Sequence, residues 1–188
     1  AGDLSLSAPV LVKTNLDLIN RRVFSTSTNL MSLSAAATAT NASNASFVSG
    51  PVQKFGTADF TFPVGKSTYY RPASLTTMTG LATDAYTAEY FLTPAPATAW
   101  VLGLFPGTLD ATLDHISDCE YWQIDRSNGS PNAFVTLSWD AATSCGVTLL
   151  ADLRVARYDG AVWRDRGNGG TTGSLIAGTV ISSASQTA

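Results

Sequence analysis

The sequence is poor in charge. Of its 188 residues, 11 are Lys or Arg and 14 are Asp or Glu, so charged side chains make up 13%, about half of the ~25% usual for soluble domains. The net charge is −3 and no basic run extends beyond Arg21-Arg22. That argues against duplex binding, which needs clustered cations to displace counterions. No apolar stretch approaches the ~18 residues that point to a membrane-spanning helix. Helical periodicity is also missing, with no convincing apolar stripe at i, i+3, i+4 and i+7. Histidine occurs once, at His115, and cysteine twice, at Cys119 and Cys145. These are too few soft ligands for a zinc site. A lone histidine without a Gly-x-Ser-x-Gly elbow also leaves a nucleophilic triad incomplete. An enzyme is not expected.

Ser, Thr, Ala and Gly fill the place of the missing charge. Polarity carried by hydroxyls and amides is typical of extracellular β-rich proteins. In such an oxidising compartment Cys119 and Cys145 would pair, closing a loop worth ~3 kcal/mol on the chain-entropy account. The alternative is two separate buried thiols. Ala1-Gly2 reads as a processed or excised start.

Strand signals are everywhere. In the run Ala133 to Trp139, Val135, Leu137 and Trp139 share one face while Thr136 and Ser138 take the other, as in a half-buried antiparallel strand. Alternation over Leu149 to Tyr158 reads as another strand. Asp159-Gly160 between two β runs has the composition of a two-residue type I′ turn. That register sets Ala156 opposite Trp163 and Arg154 opposite Asp165. Before Phe47 the pattern changes to short apolar runs, among them Leu4-Ser5-Leu6, Leu16-Asp17-Leu18 and Met31-Ser32-Leu33, several preceded by Asn. These resemble the rungs of a β-solenoid; the alternative is plain sandwich strands joined by tight turns. The low-complexity run Ser34 to Ser46 reads as a long surface loop. The expectation is an all-β chain, chiefly an antiparallel β-sandwich, with a solenoid-like or strand-exchanging N-terminal part. Its divisions are an N-terminal segment over 1–47, a sandwich domain over 48–181 and a linker over 182–188.

Gly65-Lys66-Ser67 matches the end of a phosphate-binding loop, but Phe60 stands where its first glycine belongs. Pro63 also lacks an N–H to offer a phosphate. The segment reads instead as a strand that bends at Gly65, a residue free to take positive φ, and returns through Tyr69, Tyr70 and Arg71. Adjacent tyrosines on a strand point to opposite faces. Tyr69, Tyr70 and Arg71, with Trp163, are therefore candidate ligand-binding residues, and sugar rings are the ligand that exposed aromatics would stack on. Asp110 and Asp114 lie in an acidic stretch with Asp118, Glu120 and Asp125. With backbone carbonyls they form a candidate Ca²⁺ site, against the default of a solvated loop. No other cofactor is implied.

Several stretches, in order, resemble a module of large secreted and cell-surface proteins of Bacteroidetes. They are Ser46 to Val52 with Lys54; Phe60 to Lys66 leading to Tyr70-Arg71-Pro72; Ile116 to Trp122; Val135 to Asp140 with Ser144 to Val147; and Leu153 to Gly160 with Trp163 and Gly169 to Gly173. Similar modules occur in repetitive adhesin-like proteins exported by type IX secretion. The resemblance implies an extracellular, non-catalytic structural or adhesive role and carries no catalytic residues. With no sorting domain recognisable at its end, the chain reads as a fragment or as anchored by other means. The expected partners are neighbouring modules or copies of the chain, met through β-strand edges, and surface glycans; nucleic acid and membrane insertion are not expected. A filament subunit assembled by strand addition, with Leu4 to Val12 as the donated strand, and a carbohydrate-binding module are the competing readings.

Overall fold

The computed structural model describes residues 2–95 and 109–186. The fold is all-β and mostly antiparallel, in keeping with the sandwich-type expectation. Among the described residues, the one helical element is the 3₁₀ turn Leu150–Asp152. That turn corrects the strand expected from Leu149 onward. The chain divides into two compact units, one built from residues up to 91 with 122–133, the other from 92–121 with 134–186.

The first unit opens with nine short strands: β1 (Leu4–Ser5), β2 (Val10–Val12), β3 (Asn15–Asp17), β4 (Val23–Phe24), β5 (Met31–Leu33), β6 (Thr38–Thr40), β7 (Val48–Ser49), β8 (Val52–Phe55) and β9 (Phe60–Phe62). They recur in threes. β1, β4 and β7 pair in parallel, β2, β5 and β8 do the same, and so do β3 and β6. The first two circuits thus lay one strand on each of three ladders and the third lays one on two of them, which is the solenoid-like reading of the N-terminal part. Register stacks like on like: Leu4, Val23 and Val48 form one column, and Val10, Met31 and Val52 another.

The run Ser34 to Ser46, expected as a surface loop, is part of this coil. It contributes β6, and Ala37 is buried. Small side chains are what a tight stack can take: a Cβ on Gly56 would meet the Cβ of Ala35 at 2.8 Å. The asparagines turn corners. Asn20 and Asn41 take left-handed φ of 53° and 60°, which Asn tolerates better than most residues. On the outside of the third ladder, hydroxyls and amides interlock: Asn15 donates to Thr40 Oγ1 (2.9 Å), Thr38 to Asn15 Oδ1 (2.8 Å) and Asn41 to Asp17 Oδ1 (2.6 Å). The expected boundary at Phe47 lies inside this unit, where Phe47 is fully buried.

After the third circuit the pairing turns antiparallel. β10 (Gly65–Lys66) and β11 (Tyr69–Tyr70) form a tight hairpin, and β12 (Ala73–Thr76) folds back on β9. β13 (Ala85–Phe91) runs antiparallel to β8, with Ala88 opposite Val52, and β14 (Tyr121–Asn128) flanks β13. β13 thus covers the outer edge of β8. Val64 extends the first column by bridging Val48.

In the second unit, β15 (Phe134–Asp140) pairs antiparallel with β19 (Ala177–Ile181), which pairs with β18 (Gly170–Gly173). The core is Trp139, Val155 and Val180, with Val135, Leu137, Val147, Leu150 and Leu153 packed around it. The face of β15 read from alternation is the one that packs in this core. Gly178 lies opposite Trp139, whose ring would stand 2.5 Å from a Cβ there. Ser182, expected to open a linker, is buried and bonded to Val135 in both directions.

β16 (Ala156–Tyr158) and β17 (Trp163–Asp165) form the expected hairpin with its register shifted by two. Tyr158, the last paired residue, stands opposite Trp163 where Ala161 was expected, and Ala156 faces Asp165. The cause is the Asp159 side chain, which accepts from the amides of Ala161 (2.9 Å) and Val162 (2.8 Å). That draws four residues into the loop where two were expected.

Candidate functional site

The Phe62 to Arg71 segment does bend and return. Gly65 pairs with Tyr70 and Lys66 with Tyr69. Gly65 is needed there for closeness rather than for positive φ: a Cβ would lie 2.3 Å from Tyr69 O and 2.7 Å from the Phe47 ring. The left-handed residue of the turn is Ser67, at φ 57°.

Arg71, expected among exposed binding residues, is buried. Its guanidinium lies over the Tyr69 ring (5.3 Å) and donates to Tyr70 O (2.7 Å). Its amide donates to Val64 O, and its carbonyl accepts from Trp122 Nε1 at 2.9 Å. Trp122 in turn packs on the buried Tyr90, with ring centroids 5.2 Å apart. Tyr69 and Tyr70 are both half-buried. Burial pushes the Tyr70 hydroxyl above the ordinary tyrosine range, and the Tyr70 amide is held by Asn44 Oδ1 (2.8 Å). The cluster thus knits β10, β11 and β14 together.

Trp163 is half-buried beside Tyr158, with ring centroids 5.5 Å apart. The structure places it in the second unit, apart in sequence and by unit from Tyr69 to Arg71. Asp110 is next to it: its amide donates to Trp163 O, and its carboxylate accepts from Arg164 Nη1 (3.1 Å) and the Asp165 amide (2.9 Å). Asp114 is fully exposed and contacts His115 at 3.0 Å. Asp110 and Asp114, paired as a Ca²⁺ site in the sequence reading, therefore do different things: one oxygen-rich side chain is spent on Arg164 and a backbone amide, the other on solvent. Arg164 also binds Asp159 at 2.7 Å. Two backbone amides and this guanidinium hold the Asp159 carboxyl well below the usual carboxylate range, the Val162 amide contributing most. Trp100 lies outside the described residues.

Cys119 and Cys145 are bonded, with Cα atoms 5.8 Å apart. Among the described residues, the one group of three or more potential metal ligands is Asp118 with these two cysteines, whose sulfurs are bonded to each other. Beside the disulfide, the buried Glu120 carboxylate accepts from the Ser144 hydroxyl.

The feature left open is the first circuit. β1, β2 and β3 each stand at the edge of their ladder. The Leu4, Leu6 and Val10 amides bond inward to the second circuit, and so does the Val12 carbonyl. By parallel-strand alternation, the backbone groups of Ser5 and Leu11 face outward. Exposure falls along each apolar column, from 50% at Leu4 to 6% at Val23 and 0% at Val48, and from 38% at Val10 to 3% at Met31 and 0% at Val52. Sequence reasoning named Leu4 to Val12 as a strand for addition and read Leu16-Asp17-Leu18 as a rung, but did not place β3 at the same edge.

No protein-family model matches the chain, no curated protein matches it, and no solved structure matches its fold.

Proposed function

We propose that the chain is a non-catalytic, extracellular building block of a bacterial surface protein, structural or adhesive in role. The observation that carries this reading is where the residues of the adhesin-like motifs spend their bonding capacity. Lys54 Nζ donates to the carbonyls of Ser34, Ala35 and Phe55 at 2.8–3.0 Å. Arg71 and Trp122 tie β11 to β14. Glu120 and Ser144 join either side of the disulfide, and Trp139 covers Gly178. Each of these side chains holds the chain to itself. A disulfide persists in an oxidising compartment and is rare in a reducing one, which supports an extracellular location.

Surface labelling and thiol alkylation on intact cells of the source organism test this. The expected result is a chain accessible from outside whose cysteines react only after reduction. A cytoplasmic chain with both thiols alkylated directly would contradict it. The filament reading draws on a separate observation, the open edges of β1, β2 and β3.

A further inference from the structure

We infer that Asn128 is the site at which this chain deamidates, and that the reaction loosens the end of β14. The inference is independent of the building-block reading, which assigns nothing to this turn.

Asn-Gly occurs twice in the sequence, at Asn128-Gly129 and Asn168-Gly169. Both steps are chemically able to react, because a glycine after asparagine has no side chain to shield its backbone nitrogen. The glycine amide gives its proton to hydroxide, and its nitrogen attacks the asparagine Cγ. A C–N bond forms and the Cγ–Nδ2 bond breaks. The side-chain nitrogen takes a proton from water, regenerating hydroxide, and leaves as ammonia. The resulting succinimide adds one water and opens to aspartate or to isoaspartate.

The two steps differ in what the fold does with the reacting atoms. Asn168 is half-buried. The attacking amide, that of Gly169, donates to Ile181 O at 2.8 Å. The Asn168 side chain is held at both ends: Oδ1 accepts from the Gly170 amide (2.9 Å) and Nδ2 donates to Leu150 O (3.4 Å). Both reacting groups must leave their partners before they can meet. Asn128 is exposed at the last position of β14, and Gly129 follows outside any strand with φ of 69°. Among the described residues, nothing accepts from the Gly129 amide and nothing donates to Asn128 Oδ1. The side chain makes one bond, from Nδ2 to Thr83 O at 2.6 Å. That bond ties the nitrogen that departs and leaves the carbon under attack open.

The same bond is what the reaction destroys, since either product lacks the Nδ2 donor and carries a new carboxylate. Its charge arrives beside Asp84, which is buried and lies so close to Gly129 that a Cβ there would stand 2.1 Å from Asp84 Oδ1. Like charges oppose each other most where water is excluded. Isoaspartate also lengthens the backbone where β14 passes into its turn.

The test follows both steps by mass. The purified chain, disulfide intact, is aged in mildly alkaline buffer at physiological temperature. A second sample is aged reduced in guanidinium chloride, where no fold protects either step. After reduction, trypsin releases the two sites on separate peptides, 127–154 and 167–188, and fragmentation assigns the converted residue. Each folded rate is divided by the unfolded rate of the same site. The quotient is expected to be about tenfold or more larger at Asn128 than at Asn168, the factor set by opening one backbone hydrogen bond before attack. Equal quotients, or a larger one at Asn168, overturn the assignment. Melting temperature is followed during ageing of the unsubstituted chain and of Asn128→Gln, whose longer side chain closes a larger ring far more slowly. The unsubstituted chain is expected to lose melting temperature in step with conversion at Asn128, while Asn128→Gln holds its own. Conversion without such a loss, or an equal drift in Asn128→Gln, overturns the loosening.

Discussion

Lys54 occupies a place where a lysine is costly. It is buried in the third circuit of the coil, and its neighbours in register are Leu33 and, one column away, Val52. Burial lowers its amine below the ordinary lysine range. What makes it tolerable is the set of three carbonyls that receive its three N–H groups, with the Phe60 ring 5.4 Å beneath. A buried cation with all its donors satisfied is expensive to disturb, because its partners are left without water. Lys54→Met keeps the stem and removes the bonds. It is expected to lower stability by about 2–3 kcal/mol, measured as a fall in the urea midpoint at unchanged slope. Nothing in the sequence around Lys54 indicates its burial; Gln53 and Lys54 read as a polar pair. The signal is in the register, which sets Lys54 opposite Leu33 and within reach of the carbonyls of Ser34 and Ala35 at the following corner.

Among elements, the β16–β17 hairpin shows where sequence reasoning stops. Asp159-Gly160 locates the turn correctly, and Gly160 takes φ of 100°. The register is decided by one carboxylate that captures two amides, an interaction whose outcome depends on side-chain geometry rather than on residue type. The same carboxylate gives the hairpin a pH dependence. Its folded pKa lies below its unfolded value of ~3.9. Its stabilising contribution is therefore complete above that unfolded value and is lost as pH falls through the folded one. The amides of Ala161 and Val162 are expected to hold constant exchange rates from pH ~7 to ~5, after correction for intrinsic rates, and to lose protection in strong acid. Asp159→Ala should loosen them at neutral pH and remove the acid step. Strand β15 is the opposite case: alternation names its buried face, because a half-buried strand shows its period of two directly. Ser34 to Ser46 fails for a third reason. Small and hydroxyl residues look like a loop by composition, yet a coil with closely stacked corners needs them, as the approach of Ala35 to Gly56 requires.

For the whole molecule, the two units are held by different means. The first is built on stacked columns that deepen from the first circuit to the third. The second has a smaller core around Trp139, Val155 and Val180 and carries the disulfide, whose cysteines are 26 residues apart. A loop of that length contributes about 3 kcal/mol on the chain-entropy account. Cys119→Ser with Cys145→Ser is expected to lower the stability of the second unit by about that amount while leaving hydrogen exchange at Met31 and Val52 in the first unit unchanged. All-β class and parallel circuits could be read from short apolar runs. The edge at Leu4 to Val12 could be named as well, but not that β1, β2 and β3 share it, because that depends on which strands lack neighbours, a property of topology.

The account depends most on that shared edge, and amide hydrogen exchange on the purified, monomeric chain measures it directly. Leu11, Ser32 and Gln53 occupy equivalent places in β2, β5 and β8. The prediction is fast exchange at Leu11 and strong protection at Ser32 and Gln53. Equal protection at all three in the monomer would contradict the stacked coil with an uncovered first circuit, and with it the edge on which the filament reading draws.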